Sequence, residues 1–361
     1  MLRLRLRRAG VIKAVARIIG YGLLAALVLL AVATAVLYTP SLSREAAVAR
    51  YAAPGSRFLD LGEAGVAHVR VQGAAAAPPV VLLHGSNANL FTWQPWSDHL
   101  DGIRLITLDL PAHGLTGATP AGDYSRAGAV DFVAAVLDRL GVERAVIGGN
   151  SRGGAVAAAF AAQFPERVAG LLLVDASGLY TQAYLDSQEG GDDPALIYRL
   201  VTLPGVRHLI TRLTPKFLIR DGLESAVVDP AVMTPERVTR YYDMIRMAGT
   251  RRATLARFGG ALPPAVDADR LTMPTLIQWG AQDQFIPVSL AHLWHARLAD
   301  SRLAIYERVG HLPMIEIPAR SAADVQAFLD EIGWVAPRPA GATPGTAPAP
   351  LDEAEAARSG Q

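Results

Sequence analysis

The chain has 361 residues, about half hydrophobic and 19% charged, enough for one large domain or two smaller ones around a substantial core. It contains no cysteine, which excludes disulfides and cysteine-based metal or redox sites. The net charge of +1 is uneven: Arg3, Arg5, Arg7, Arg8, Lys13 and Arg17 lie in a leader without acids, so the remainder is mildly acidic, which argues against a nucleic-acid surface.

Residues 1–17 therefore read as a basic leader. Ile18 to Tyr38, "IIGYGLLAALVLLAVATAVLY", carries no charge and would span roughly 30 Å as a helix, the thickness of a bilayer core. Tyr21 and Tyr38 near its ends suit the membrane interface. The cations ahead of it place the leader in the cytoplasm and the rest of the chain outside, as a single-pass protein of the inner cell membrane. A cleaved signal peptide is the alternative, because "AVA" and "ATA" (Ala31 to Ala35) resemble cleavage sites; the product would then be periplasmic or secreted.

After a linker (39–56), the segment 57–181 alternates strands with helices. Strands are expected at Arg57–Leu61, Ala67–Gln72, Pro79–Leu83, Ile103–Leu110, Arg144–Gly148 and Leu171–Asp175, then at Pro274–Gly280 and Leu303–Val309 within 263–334. Most are short, continuously apolar runs, as strands covered on both faces should be. Ala127–Gly141, Gly153–Pro165 and Ser321–Gly333 carry the apolar stripe of amphipathic helices. This alternation means an α/β protein with a mostly parallel sheet and helices on both faces.

Residues 182–262 break the rhythm. They offer no convincing strand but several helical pieces, including "ALIYRLVTL" and "PERVTRYYDMIRMAG", and read as a helical cap over the carboxyl edge of the sheet. Apolar residues of this cap, among them Leu196, Tyr198, Tyr241, Tyr242, Met244 and Met247, are expected partly to pack on the body and partly to roof a pocket. Residues 335–361, rich in Pro, Ala, Gly and charge, read as a disordered tail.

The chemistry collects at strand ends. "GGNSRGG" sets Ser151 between a strand and a helix, with Gly149 two residues before it and Gly153 two after. A serine on so sharp a turn is held in strained geometry, and side chains at the flanking glycines would collide with the turn. In return the hydroxyl stands at a helix N-terminus, where developing negative charge is favoured. A glycine-rich phosphate turn is the rival, but no Lys-Ser, Lys-Thr or GxGxxG accompanies it.

A nucleophilic serine needs a base, and the base needs an orienting acid. His311, after the last strand, and Asp283, three residues past the preceding one, supply them in the order Ser, acid, His. Asp175 is a second possible acid, and His113 is the histidine most easily mistaken for the base. His84-Gly85-Ser86 follows a buried strand; Gly85 permits close backbone approach, and the N–H groups of Ser86 and Arg152 form an expected oxyanion hole. His84 reads as a brace for this loop, and the Arg152 side chain as an outward ion-pairing or helix-surface group.

"LLHGSN", "LDLPAHGLTG", "GGNSRGG", "WGAQDQFIP" and "GHLPMIEIP", in this order, resemble the α/β-hydrolase superfamily over about Phe58 to Gly333. The resemblance implies an α/β-hydrolase fold with an eight-stranded sheet, a Ser151–His311–Asp283 triad, a helical cap, and neither metal nor cofactor. Ser151 excludes the members that use an aspartate nucleophile. The elbow resembles that of carbon–carbon hydrolases of aromatic ring cleavage and of some bacterial lipases, although Arg152 and Leu312 stand where the former usually have Met and Trp. The reading is a membrane-anchored serine hydrolase acting on small-molecule esters of apolar acyl groups. A carbon–carbon hydrolase, whose substrate carboxylate Arg199, Arg220 or Arg246 could hold, and a non-enzymatic binding protein are the alternatives.

Overall fold

Eight apolar runs pair into one sheet: β1 Ser56–Asp60, β2 Val66–Gln72, β3 Pro79–Leu83, β4 Arg104–Leu108, β5 Ala145–Asn150, β6 Val168–Val174, β7 Thr275–Gly280 and β8 Ser301–Tyr306. The computed structural model describes residues 2–182, 211–258 and 263–336. The strand order is β1-β2-β4-β3-β5-β6-β7-β8. Only β2 runs antiparallel to its neighbours; all pairings from β4 through β8 are parallel.

The strands are continuously apolar because both faces are covered. On one face Val81, Leu83, Ile147, Leu171, Leu173 and Ile277 pack against α3 (Arg126–Arg139), α4 (Arg152–Gln163) and α8 (Ser289–Arg297). On the other, Val80, Leu82, Val146, Leu172 and Leu276 meet Trp93 and Trp96 of a 3-10 segment, the short helix α9 (Pro313–Glu316) and α10 (Pro318–Glu331). The two-residue period of a strand sorts neighbouring side chains to opposite clusters.

β6 starts three residues before the expected Leu171. Ala169 and Gly170 lack a strand-like side chain, but α10 lies so close that a Cβ on Gly170 would meet Phe328 Cζ at 3.2 Å, and Ile332 Cδ1 just past the helix at 3.0 Å. Smallness there serves packing rather than a turn.

At the N-terminus, α1 runs from Leu2 to Leu37, and its stretch Arg17–Leu37 is long and apolar enough to cross a membrane, with none of it buried in the protein. The segment expected as a plain linker contains a helix, α2 (Arg44–Tyr51), capped by Ser43. Its Ala47 packs with Leu90, Phe91, Leu115, Met244 and Met247. Of the cap, the described residues form α5 (Lys216–Glu224), α6 (Pro235–Ile245) and α7 (Thr250–Phe258). Tyr241, Met244 and Met247 are buried, and the Tyr241 hydroxyl is hydrogen-bonded to Thr92 Oγ1 at 2.7 Å, so these three join cap to body; Met244 also lines a small pocket with Asn87 and His113. "ALIYRLVTL", with Leu196, Tyr198 and Arg199, lies outside the described residues, as do His208 and the tail from 337 onward.

Candidate active site

The sheet changes direction at β3, which has β4 on one side and β5 on the other. Open parallel sheets bind ligands at the carboxyl ends of the strands flanking such a switch. The loop after β3 carries Ser86, and the turn after β5 carries Ser151.

Ser151 has φ 56° and ψ −124°, a conformation that non-glycine residues rarely adopt. The surrounding backbone enforces it. A Cβ on Gly149 would stand 2.3 Å from the Gly153 carbonyl carbon, and one on Gly153 would stand 2.2 Å from Leu83 O. The backbone N–H of Ser151 donates to Val174 O at 3.1 Å, which pins the turn to β6. The hydroxyl thus sits at the head of α4, whose first N–H groups lack intrahelical acceptors.

His311 Nδ1 and Asp283 Oδ2 are 2.7 Å apart. The Asp283 side chain is fully buried, and its Oδ1 accepts the backbone N–H groups of Phe285 and Ile286 at 2.8 and 3.0 Å. The carboxylate is therefore fixed in place and the imidazole is oriented with its proton on Nδ1. Asn150 Nδ2 donates to His311 O at 3.0 Å, which ties the histidine loop to the residue preceding Ser151. Ser151 Oγ and His311 Nε2 have no hydrogen-bond partner among the described residues; contacts of this kind tighten when substrate binds.

Asp175 directly follows β6 at φ 44°, fully buried, with Oδ1 accepting Gly280 N–H at 2.9 Å. It belongs to the same cluster: ligand-type atoms of Asp175, Asp283 and His311 all lie within 4.8 Å of one another. Burial, and then the Asp283 charge, push the Asp175 carboxyl well above the usual carboxylate range, so it stays neutral. A neutral carboxyl, and an imidazole already engaged through Nδ1, suit a hydrogen-bonded relay better than a metal. Sequence order had left two acids open; the structure gives His311 Nδ1 to Asp283 and keeps Asp175 behind the pair.

On the other side of Ser151, a Cβ on Gly85 would come within 3.0 Å of the Ser151 Cβ, so the loop after β3 lies directly against the elbow. His84 holds that loop: its Nδ1 donates to Gly85 O at 2.8 Å, and its Nε2 accepts Leu110 N–H at 3.0 Å. Burial lowers its pKa to about 4, so it is a neutral brace. His113 is also engaged, donating from Nδ1 to Pro111 O at 2.8 Å and accepting Arg257 Nη1 at 2.9 Å. Neither can serve as a base without breaking these contacts.

Two arginines differ from expectation. Arg152 does not point outward: its Nη2 donates to Tyr124 O and Ser125 O at 2.9 and 3.3 Å, fastening the elbow to the start of α3. Burial, reinforced by the Arg126 charge, lowers its pKa to about 10, so it remains cationic. Of the cap arginines, Arg220 pairs with Asp221 and Glu224, and Arg246 with Asp243. Among the described cap residues, the cation at the site is Arg257, whose Nη1 donates to Ser86 Oγ at 3.2 Å and whose Nη2 donates to Asn87 Oδ1 at 3.0 Å. Sequence reading missed it because α7 has no clear amphipathic face and only the tertiary fold lays it against the β3 loop.

A family model described as the alpha/beta hydrolase fold matches residues 78–318. The chain is 29% identical to a 2-hydroxy-6-oxononadienedioate/2-hydroxy-6-oxononatrienedioate hydrolase of Pseudomonas sp., over 72% of this chain and 91% of that protein. It is 25% identical to lipase 3 of a Moraxella species, over 70% of this chain and 77% of the lipase. Among solved structures, a membrane phospholipase A described as a bacterial virulence factor superposes with a TM-score of 0.61 at 24% identity, covering 87% of this chain and 99% of that one.

Proposed function

The chain belongs to the alpha/beta-hydrolase fold family, and from that membership we propose that it is a membrane-anchored serine hydrolase cleaving carboxylic esters of apolar acyl groups. The observation that carries this reading is the strained Ser151 at the head of α4, with the oriented His311–Asp283 pair tied to its neighbour Asn150. Ser151 Oγ attacks the ester carbonyl while His311 Nε2 takes its proton. Asp283 holds the Nδ1–H and stabilises the imidazolium. The carbonyl oxygen gains negative charge facing the N–H groups of Ser86 and Arg152, each such donor being worth about 10²–10³ in rate. His311 returns the proton to the departing alkoxide, leaving an acyl-enzyme. It then deprotonates a water that hydrolyses the acyl group.

The apolar helix supports an anchored enzyme whose catalytic body lies outside the cytoplasm. External protease should digest the body in intact spheroplasts; a protected body would overturn the orientation, and a soluble product starting near Val36 would show cleavage.

Carbon–carbon hydrolysis is favoured by a different observation. Arg257 places a guanidinium on the loop that would bind the oxyanion, where it could hold a substrate carboxylate. The two readings separate on a panel of chromogenic esters of rising acyl length run beside a vinylogous diketo acid, with wild type, Ser151→Ala and Arg257→Gln. Ester turnover that survives Arg257→Gln supports the esterase. Turnover of the diketo acid alone, lost with Arg257→Gln, supports the alternative. No turnover of either would leave a binding protein.

A further inference from the structure

The end of the apolar helix is built into the cap. Tyr38 pairs with Leu213 in an antiparallel bridge, Thr39 N–H donates to Arg212 O at 2.6 Å, and Thr39 Oγ1 donates to Thr214 O at 3.1 Å. Arg251 donates to Thr39 O at 3.0 Å and to Ser41 Oγ at 2.9 Å, while Arg212 donates to the Tyr38 hydroxyl at 3.0 Å. Helix α5 starts two residues after Thr214. Three peptide steps of at most about 3.6 Å each separate Thr214 from Phe217, so Phe217 lies within roughly 11 Å of the strand of chain bonded to Thr39. That upper bound slightly exceeds the depth of a headgroup layer, about 5–10 Å, so Phe217 stays at or near the interface.

The exposed side of α5 suits such a layer. Phe217 is 49% exposed and Leu218 56%, whereas Leu223 packs inward on the core. The cations here outnumber the acids. Half-buried Arg212 and exposed Lys216 have no carboxylate partner among the described residues, while Asp221 and Glu224 are paired with Arg220, and Asp243 with Arg246 and Arg50; Arg251 is buried against Thr39 and Ser41. Beside this face lies a cavity of about 360 Å³ with Phe217, Met233, Pro235 and Val238 on its apolar walls and Lys216, Arg220 and Glu224 at its charged side. Met233 and Val238 belong to the same apolar cluster as Leu312, the residue after His311.

We propose that Phe217 and Leu218 are seated in the headgroup layer of an anionic phospholipid bilayer, with Arg212 and Lys216 against its phosphates. The cap, not the sheet, is then the face turned to the membrane, and the cavity beside α5 opens where lipid chains are at hand. Each basic side chain near an anionic surface adds attraction, and the aromatic and aliphatic tips add apolar burial. The proposal rests on the reading of α1 as an uncleaved anchor.

The absence of native cysteine makes the test direct. Full-length Phe217→Cys, labelled with an environment-sensitive fluorophore, is reconstituted into phosphatidylglycerol–phosphatidylcholine vesicles carrying a nitroxide near the headgroup. Glu166→Cys, exposed at the opposite edge of the sheet, is the reference. The label at 217 should be quenched about threefold more than the label at 166, and less so in pure phosphatidylcholine. A label at 217 as wet as that at 166, in protein that resists carbonate extraction, overturns the proposal alone. Equal quenching in both lipids overturns the anionic surface. Protein stripped by carbonate overturns the anchor reading and the proposal with it.

Discussion

Among the described residues two serine–histidine–aspartate sets stand out, and by hydrogen bonding alone the one not proposed as catalytic looks better. Ser56 Oγ lies 2.9 Å from His68 Nε2, and His68 Nδ1 lies 2.6 Å from Asp109 Oδ2. In the other set the His311–Asp283 contact is 2.7 Å, and the serine hydroxyl has no partner among the described residues. The surroundings reverse the ranking. His68 and Asp109 side chains are fully buried, and Phe58 stacks on the imidazole at 5.0 Å. Ser56 starts the edge strand β1, and its hydroxyl also accepts the Ala53 N–H at 3.1 Å. Asp109 also accepts the N–H groups of Leu90 and Leu115, so it acts as a clamp joining β2, β4 and two loops. Ser151 has the strained turn, the helix head and the adjacent Ser86 loop. A triad is defined by what its serine faces, and hydrogen bonds within it can equally serve as a brace.

The difference can be broken at the serines first. Ser151→Ala or His311→Ala should lower kcat by about 10⁴-fold or more, while Ser56→Ala leaves it within a few-fold. The reverse result in ester turnover would exchange the two sets. At the acids, Asp283→Asn should cost about 10³-fold in kcat and Asp175→Asn less than about tenfold. If Asp175→Asn were the more damaging, the orienting acid would have to be reassigned.

The bracing set should answer in stability instead. Burial opposes the Asp109 charge, but the hydrogen bond and charge of His68 and the nearby His84 outweigh it and hold the carboxyl below its usual range. Asp109→Asn should therefore cost about 3–5 kcal/mol in denaturant unfolding, with kcat of the folded fraction retained. An unchanged midpoint would deny the clamp.

A smaller effect belongs to pH. His84 has its pKa lowered to about 4 in the folded state, against an ordinary value of 6.5. The unfolded chain therefore gains a proton that the folded chain refuses as pH falls from 6.5 toward 4. About 3 kcal/mol is lost over that window. His113, lowered by burial and by the Arg257 charge, acts in the same direction. Stability that did not fall below pH 6.5 would contradict both assignments. Asp175 has the opposite sign. Its carboxyl is held protonated in the folded state by burial and the Asp283 charge, so its contribution weakens as pH rises above the ordinary carboxylate range, and Asp175→Asn should lessen that fall in Tm.

The sequence by itself was enough for the fold class, because strands covered on both faces must be short apolar runs and the helices between them must carry a stripe. It also placed Ser151, since a glycine two residues to each side of a serine, between a strand and a helix, expresses a local backbone constraint. His311 and Asp283 could be selected by position after β8 and β7, again a local matter. What the tertiary structure decided was everything that depends on two distant segments meeting. Asp175 and Asp283 looked like alternatives in sequence and turn out to share one cluster, because parallel strands β6 and β7 end side by side. The stretch read as a linker holds α2 packed on the cap, a pairing that its eight residues could not announce. Arg257 lies 171 residues from Ser86, and Thr39 lies 175 from Thr214. Periodicity reports which face of one element is apolar; it carries no record of which polar groups from other elements will stand opposite, and those contacts are what separate a braced triad from an open one.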